Sequence, residues 1–218
     1  MTSPNIDRWV KKNRELIGRK VADIGSRRYG DRSTSVREIL SYSKTDRKIV
    51  GIDLQDGENV DVVFDLATKN IDDLLQLTDG QFDSIICLSV LEHVPSVWQM
   101  ATNLQDLLRP GGSLFVSVPF VFRIHHYPLD CWRFTPTAVQ HLFPAIDFMN
   151  FDRCEAVFAD GSKRLSLGEG RIDKLNRFVS SGMSSDQKSQ RKNEKLTGAI
   201  TVPYMMHPTM LNMVGVKS

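Results

Sequence analysis

The chain has 218 residues, of which 41% are hydrophobic and 25% are charged, and its formal net charge is +2. This composition excludes a disordered or fibrous chain, and the length suits one α/β domain with a full core. No apolar stretch is long enough for a membrane span, and the N-terminus lacks the apolar core of a signal peptide. We therefore expect a cytoplasmic protein that forms a single domain over residues 1–218.

The first 120 residues alternate between strand and helix patterns. The spacing of apolar residues predicts helices over 5–17, 35–42, 71–77 and 97–108, and strands over 20–24, 49–54, 60–66, 82–90 and 113–118. We expect the last of these helices to stop at Arg109-Pro110-Gly111-Gly112. This alternation predicts a doubly wound α/β fold, with a mostly parallel seven-stranded sheet and helices on both faces.

The last third of the chain changes character. Residues 135–142 have a helical pattern, residues 145–158 contain a strand, and residues 199–216 are apolar enough for a closing antiparallel strand pair. Between them, residues 161–198 are polar and rich in Lys, Arg and Ser. That composition favours a helical insertion or a mobile flap.

The charge is distributed unevenly. Residues 51–110 contain 2 basic and 11 acidic residues, whereas residues 1–50 contain 13 basic and 6 acidic ones. An acidic segment of this kind indicates either a site for a cationic ligand or a solvated face. The three cysteines are odd in number and widely spaced, which favours neither a disulfide framework nor a zinc knuckle.

Three of the predicted strands end on an aspartate: Asp23, Asp53 and Asp65. The carboxyl ends of parallel strands meet at one edge of a sheet, which is where open α/β folds bind ligands. The loop over residues 23–30 has neither the three-glycine spacing of a dinucleotide site nor the Gly-Lys-Ser/Thr ending of a P-loop. The pattern therefore favours a ligand without phosphates that is rich in hydroxyls and amines.

S-adenosylmethionine is such a ligand, since it combines an adenine, a ribose diol, an amino acid and a sulfonium cation. A carboxylate at the end of the second strand suits a ribose diol, a role for Asp53. Asp65 is placed to accept from the adenine amine, and Asp23 to neutralise the ammonium.

Six motifs resemble those of the class I S-adenosylmethionine-dependent methyltransferases, in particular the small-molecule type called methyltransferase domain 11. They run in order from about residue 20 to residue 120. They are Val21-Ala22-Asp23-Ile24-Gly25-Ser26, Val50-Gly51-Ile52-Asp53, Val63-Phe64-Asp65-Leu66, Phe82-Asp83-Ser84-Ile85-Ile86, Ser89-Val90-Leu91-Glu92-His93-Val94 and Leu108-Arg109-Pro110-Gly111-Gly112.

The resemblance implies a cofactor-binding half over residues 18–118. Gly25 and Ser26 would contact the methionine part, Asp53 the ribose, Asp65 and Leu66 the adenine, and the Ser89 backbone the region near the sulfonium. Leu54 and His93 complete the predicted cofactor contacts. One departure concerns the first loop, where Arg27 stands in place of the family's usual second glycine.

Residues 119–135 are predicted to form an acceptor loop, because they combine aromatic residues with a few polar ones, as ligand pockets do. His126 is the preferred general base, followed by His125 and then His93. Asp130 would orient a histidine, and Arg123 or Arg133 would hold an anionic group of the acceptor. No metal is expected: His125, His126 and Asp130 offer suitable atoms, but adjacent histidines tend to diverge.

These features predict an O-methyltransferase that acts on a small molecule or a sugar of a glycan, with a histidine as the base. A nucleic-acid methyltransferase is the second hypothesis for an enzyme, and the basic ends of the chain favour it. It is disfavoured because Ser89 to His93 replaces the Asn/Asp-Pro-Pro-aromatic motif that base-methylating enzymes carry. A binding module that keeps S-adenosylmethionine but has lost turnover is the third. The acceptor and the oligomeric state stay open.

Overall fold

A computed structural model describes residues 4–28, 34–41, 46–68, 70–125, 129–148, 153–158, 164–166 and 208–218. The helices are α1 (Pro4–Lys12), α2 (Val36–Ser41), α3 (Asp72–Leu77), α4 (Val97–Leu107) and α5 (Pro136–Leu142), with 3₁₀ turns at Arg14–Leu16 and Leu91–His93. The strands are β1 (Lys20–Ile24), β2 (Lys48–Asp53), β3 (Val62–Val63), β4 (Phe82–Leu88), β5 (Leu108–Pro119), β6 (Ile146–Asp147), β7 (Glu155–Phe158), β8 (Arg164–Ser166) and β9 (Pro208–Lys217).

These strands form one open, mixed sheet in the order β3-β2-β1-β4-β5-β9-β7-β8, with β6 paired to β9. Neighbours from β3 to β5 run parallel, and all the pairs formed by β9 are antiparallel. The doubly wound α/β sheet is thus confirmed. Two of the strands, β6 and β8, are short additions of two and three residues.

The strand order reverses direction between β1 and β4. The chain first places β2 and β3 on one side of β1, and then crosses over to place β4 and β5 on the other side. At such a reversal the loops that follow the two central strands part and leave a crevice at their carboxyl ends. The fold therefore places a crevice at the strand ends where the sequence motifs predict the ligand site.

Apolar side chains are buried on both faces of the sheet. On one face, Trp9 of α1 packs edge-on against Phe115 of β5, with ring centroids 5.4 Å apart. On the other face, Leu104 of α4 and Leu74 of α3 are fully buried in a larger cluster. Burial of each such side chain contributes roughly 1.5–3 kcal/mol, so both helical layers stabilise the sheet beneath the crevice.

Two predicted strands differ in extent from the observed ones. The strand predicted over 60–66 is reduced to β3, because Asp65 accepts a hydrogen bond from the Ala67 N–H at 2.8 Å and turns the chain. β5 begins at Leu108 rather than at Ser113, directly after α4. Residues 109–112 bulge out of its pairing with β4, and Gly111 supplies the positive φ of +74° that this turn needs.

The C-terminal region is described only in part. The strand predicted within residues 145–158 is confirmed as β7, and the two-residue strand β6 precedes it. Of the closing antiparallel strand pair predicted over residues 199–216, one strand is confirmed as β9, which pairs with β5 on one side and β7 on the other. Residues 199–207 lie outside the described residues. The predicted polar insertion over 161–198 lies outside the described residues except for β8. Within the described ranges, no helix is long and apolar enough to cross a membrane.

Candidate active site

The crevice is bordered by the loops that follow β1, β2 and β4. The Gly25 N–H donates to the Ile52 carbonyl at 2.9 Å, and the Ser89 N–H donates to the Ser117 carbonyl at 2.8 Å. Ser89 adopts a φ of +56°, a conformation that costs free energy for any residue with a side chain. Strain of this kind is typical of functional sites, where the surrounding structure enforces it.

Asp23 is the most buried of the three aspartates predicted to bind the cofactor. The residue is 6% exposed, and burial raises the pKa of its carboxyl to about 7, although the charge of Arg37 opposes this shift. No group among the described residues donates a hydrogen bond to this carboxylate. The ammonium group of a ligand would therefore stabilise the charged form of this buried carboxylate.

Gly25 follows β1 and has no room for a side chain. Its φ is +70°, and a Cβ atom would lie 2.5 Å from Cγ2 of Val90. The next residue, Ser26, is buried, and its Oγ has no hydrogen-bond partner in the structure. A close backbone approach beside an open hydroxyl suits contact with the polar end of a ligand.

Asp53 at the end of β2 organises the first loop. Its Oδ2 accepts from the Arg27 N–H at 3.1 Å, and its Oδ1 accepts from the Gln55 N–H at 3.0 Å. The Arg27 guanidinium donates to the side chain of Gln55 and lies against Gly57. Arg27 therefore binds Asp53 through its backbone N–H, while its side chain extends towards Gln55 and Gly57. Each Asp53 oxygen keeps a lone pair for a diol.

The three residues predicted near the adenine differ in accessibility. Leu54 is 60% exposed, and Asp65 is exposed at the turn that ends β3. By contrast, the Leu66 side chain is buried in the core, and its carbonyl accepts from Nδ2 of Asn103 at 2.9 Å. Leu54 and Asp65 are thus accessible to a ligand at the rim, whereas Leu66 supports the turn from below.

A second cluster of functional groups lies in the 3₁₀ turn after β4 and in the loop after β5. The rings of His93 and His125 are 5.0 Å apart and nearly perpendicular, and Oε1 of Glu92 lies 3.9 Å from Nε2 of His93. Nδ1 of His93 is hydrogen-bonded to the Leu129 carbonyl, a contact in which the imidazole must donate. In the neutral ring, Nε2 therefore carries the free lone pair.

Burial favours the neutral forms of both residues in this turn. It raises the pKa of the Glu92 carboxyl to about 7 and lowers the pKa of His93. Glu92 is 1% exposed, and its Oε2 is buried without a hydrogen-bond partner. Sequence reasoning did not single out Glu92 as a functional residue, although its position beside His93 in the motif of residues 89–94 was a usable signal.

The acceptor loop is fastened to this turn by its backbone. The Cys131 N–H donates to the Glu92 carbonyl at 2.7 Å, and Nε1 of Trp132 donates to the Val94 carbonyl at 2.8 Å. The Phe134 N–H closes the loop by donating a hydrogen bond to the Pro119 carbonyl at 2.9 Å. Segments about 40 residues apart in sequence thereby form one wall of the crevice.

Asp130 and Arg133 form an ion pair inside this loop. The Asp130 side chain is 1% exposed, accepts from Nη2 of Arg133 at 2.8 Å and from the His125 N–H at 2.8 Å, and lies 3.5 Å from Nδ1 of His125. The arginine holds the pKa of the Asp130 carboxyl well below its usual range. Asp130 is thus placed to orient His125. Arg133 is engaged within the loop, against the expectation that it holds an acceptor anion.

Of the three predicted histidines, the structure brings His93 and His125 together and adds Glu92 to them. His126, the preferred base, lies outside the described residues.

The chain is similar in sequence to known methyltransferases. Residues 33–116 match the family described as methyltransferase domain. The ubiquinone biosynthesis O-methyltransferase of Dechloromonas aromatica is 29% identical over 119 residues, which are 50% of this chain and 48% of that protein. Its counterpart from Xanthomonas euvesicatoria is 30% identical over 118 residues, or 50% and 46%. The chain spans about half the length of these curated relatives.

Solved structures share the fold over nearly the whole chain. A SAM-dependent methyltransferase from Archaeoglobus fulgidus has a TM-score of 0.58 at 13% identity, covering 97% of this chain and 93% of that one. The 1,6-didemethyltoxoflavin-N1-methyltransferase of Burkholderia thailandensis, solved with S-adenosylhomocysteine, has a TM-score of 0.53 at 12% identity, covering 99% and 79%. The [4+2]-cyclase SpnF has a TM-score of 0.52 at 13% identity, and the match covers 97% of this chain and 81% of that one. At such identities the likeness concerns the fold.

The family match extends from just before α2 into β5, and the structural likeness extends over the rest of the sheet. The matched segment thus belongs to the same family that the sequence motifs resemble, and the fold agrees with that resemblance over nearly the whole chain.

Proposed function

We propose that the protein transfers a methyl group from S-adenosylmethionine to a hydroxyl of a small molecule. The observation that carries this proposal is the pairing of two unlike sites at one sheet edge. Asp23 and Asp53 offer carboxylates to a ligand with an ammonium and a diol, and His93 offers a free imidazole lone pair beyond β4. A methyl donor fits the first site, and a hydroxyl that must lose its proton fits the second.

In the proposed donor site, Asp23 pairs with the ammonium and Asp53 accepts from the ribose hydroxyls. Ser26 and the Gly25 backbone contact the amino-acid part, while Leu54 and Asp65 border the adenine. Ser89, with its strained backbone, faces the sulfonium. Each of these contacts is made to the donor alone, so their main contribution is alignment of the methyl group.

The proposed chemical step is an in-line displacement. An oxygen lone pair of the acceptor attacks the methyl carbon as the carbon–sulfur bond breaks, and the sulfur keeps the bonding pair, which yields neutral S-adenosylhomocysteine. The hydroxyl proton passes to Nε2 of His93, or to His125 or His126 if one of these is the base. A positioned imidazole contributes about 10²–10⁴-fold to such a step.

The acceptor loop favours an acceptor with an apolar body. Phe122, Ile124, Leu129 and Trp132 are all at least 37% exposed around the histidines. Aromatic and aliphatic walls with a few polar groups are typical of sites for small organic molecules. The relatives named for ubiquinone biosynthesis point to the same class, and a sugar hydroxyl is the alternative that the experiment includes.

The test has two stages. Calorimetric titration with S-adenosylhomocysteine should give one site per chain, with affinity weakened by Asp53→Ala; absence of binding would contradict the proposal. Transfer of labelled methyl from S-adenosylmethionine should then be measured on catechols, simple sugars and a short RNA. Transfer to a catechol or a sugar supports the proposal, whereas transfer to RNA favours a nucleic-acid methyltransferase. Binding of S-adenosylhomocysteine without any methyl transfer favours a non-catalytic binding module.

A further inference from the structure

The chemical character of the Glu92, His93 and His125 cluster goes beyond a single proton acceptor. Each residue contributes one ligand atom, and these atoms all lie within 4.8 Å of one another. Oε1 of Glu92 and Nε2 of His93 are 3.9 Å apart. Two ligand atoms that each lie about 2.1 Å from one tetrahedral ion are roughly 3.4 Å apart. A small rotation of the two side chains would therefore bring both atoms to bonding distance from a common ion.

We propose that Glu92, His93 and His125 bind one divalent transition-metal ion of the zinc type. The proposal stands on the geometry of the cluster and on the Glu92 carboxylate, which is 1% exposed and has an Oε2 atom without any partner. A buried carboxyl oxygen without a partner costs free energy, and a bound cation would compensate for that cost.

The donor arrangement around the imidazoles supports this assignment. His93 donates from Nδ1 to the Leu129 carbonyl, which leaves Nε2 as the atom that faces Glu92. Metal-binding histidines have this arrangement, in which a carbonyl or carboxylate fixes the ring through the other nitrogen. Asp130, 3.5 Å from Nδ1 of His125, is placed to play the same part for the second ring.

The identity of the ion follows from the ligand set. Two imidazoles and one carboxylate suit Zn²⁺ and neighbouring transition metals, whereas Mg²⁺ and Ca²⁺ prefer oxygen ligands. Three protein ligands leave a fourth position open, as in catalytic rather than structural zinc sites. This set differs from the one weighed in the sequence, since Glu92 and His93 come from the turn after β4.

A role for the ion in catalysis rests on the proposed function. An acceptor hydroxyl at the open position would lose its proton more easily, because the cation stabilises the oxyanion. The proton then leaves to solvent, and His93 serves as a ligand instead of as the base. The two roles use the same nitrogen, so metal binding decides between them.

The experiment uses the full chain without a polyhistidine tag, stripped of metal with a chelator. Equilibrium dialysis against Zn²⁺, read by elemental analysis, should give one ion per chain, and Co²⁺ should show the visible absorption of a tetrahedral site. His93→Ala and His125→Ala should each weaken Zn²⁺ binding by at least about 100-fold, and Glu92→Gln should weaken it as well. His141→Ala, on an exposed residue of α5, should leave it unchanged.

Absence of zinc binding, or binding that His93→Ala and His125→Ala leave intact, would overturn the inference. S-adenosylhomocysteine titration of the same samples separates this failure from failure of the proposed function, since the donor site lies on β1 and β2. If Glu92→Gln does not fold, His125→Ala decides the outcome, because it alters a loop residue outside the core.

Discussion

The proposed donor side and the proposed acceptor side of the crevice are built differently. Asp23 and Asp53 sit at the ends of adjacent strands, so the register of β1 and β2 alone brings them together. His93 and His125 come from two loops, and backbone hydrogen bonds from Cys131 to Glu92 and between the flanking residues hold these loops together. Chemistry placed by strand ends is a property of the fold, whereas chemistry placed by loops depends on many weak contacts.

The sharpest test of this division is His93→Ala. If His93 serves the acceptor, turnover falls by about 100-fold or more, while the affinity for S-adenosylhomocysteine stays unchanged. Steady-state kinetics and calorimetry measure the two quantities, and His141→Ala is the control. An equal loss of cofactor affinity would move His93 to the donor side, the other role predicted for it.

Asp23→Asn should separate binding from stability. Loss of a charge-assisted contact should weaken S-adenosylhomocysteine binding by about 10–100-fold. The folded pKa of about 7 lies above the ordinary value of 3.8, so this group destabilises the fold progressively as pH rises from about 4 to 7. At pH 8 the variant should therefore be more stable, by no more than about 4 kcal/mol.

Denaturant unfolding measures that gain, and Asp106→Asn is the matched control at an exposed site. A variant that binds the cofactor normally, or that is less stable at pH 8, would show that Asp23 is structural.

Cofactor binding should also depend on pH. An ammonium ligand requires the charged form of Asp23, and the pKa of about 7 means that this form disappears as pH falls below 7. The affinity for S-adenosylhomocysteine should drop by up to about tenfold per pH unit below 7 and level off above it. Calorimetry between pH 5.5 and 8, in steps of about half a unit, follows the curve. A flat profile in the wild type would exclude the ion pair, and Asp23→Asn should flatten it.

Arg133→Met should loosen the acceptor side alone. The substitution leaves the buried Asp130 carboxylate without its cation, so the melting temperature should fall and the KM for the acceptor should rise. Cofactor affinity should persist, because the donor side rests on other strands. Arg8→Met, at an exposed position of α1, is the control. Unchanged melting would mean that the pair contributes nothing to holding the loop.

The smallest expected effect concerns Ser89. Ser89→Gly relieves the positive φ and should stabilise the fold by about 1 kcal/mol. Ser96→Gly is the comparison, since Ser96 has a φ of −88° and gains nothing from glycine. Thermal unfolding distinguishes the two variants, and a loss of stability in both would remove the argument from strain.

The order of strands and helices in the first 120 residues was predictable from hydrophobic spacing, because central strands such as β4 are buried on both faces and read as apolar runs. The lengths of β3 and β5 were not. Asp65 ends β3 through a local turn, and the glycines after Arg109 form a bulge inside β5 in place of a turn before it.

The sequence by itself determined the proposed donor side: aspartates at the ends of two strands and in the turn after a third, a loop unsuited to phosphates and an ordered series of motifs. It did so because parallel strands bring their carboxyl ends together whatever the loops do. Only the tertiary structure decided the acceptor side. The proximity of Glu92 to His93 and His125, and the ion pair between Arg133 and the buried Asp130, depend on tertiary contacts that no local pattern of residues specifies.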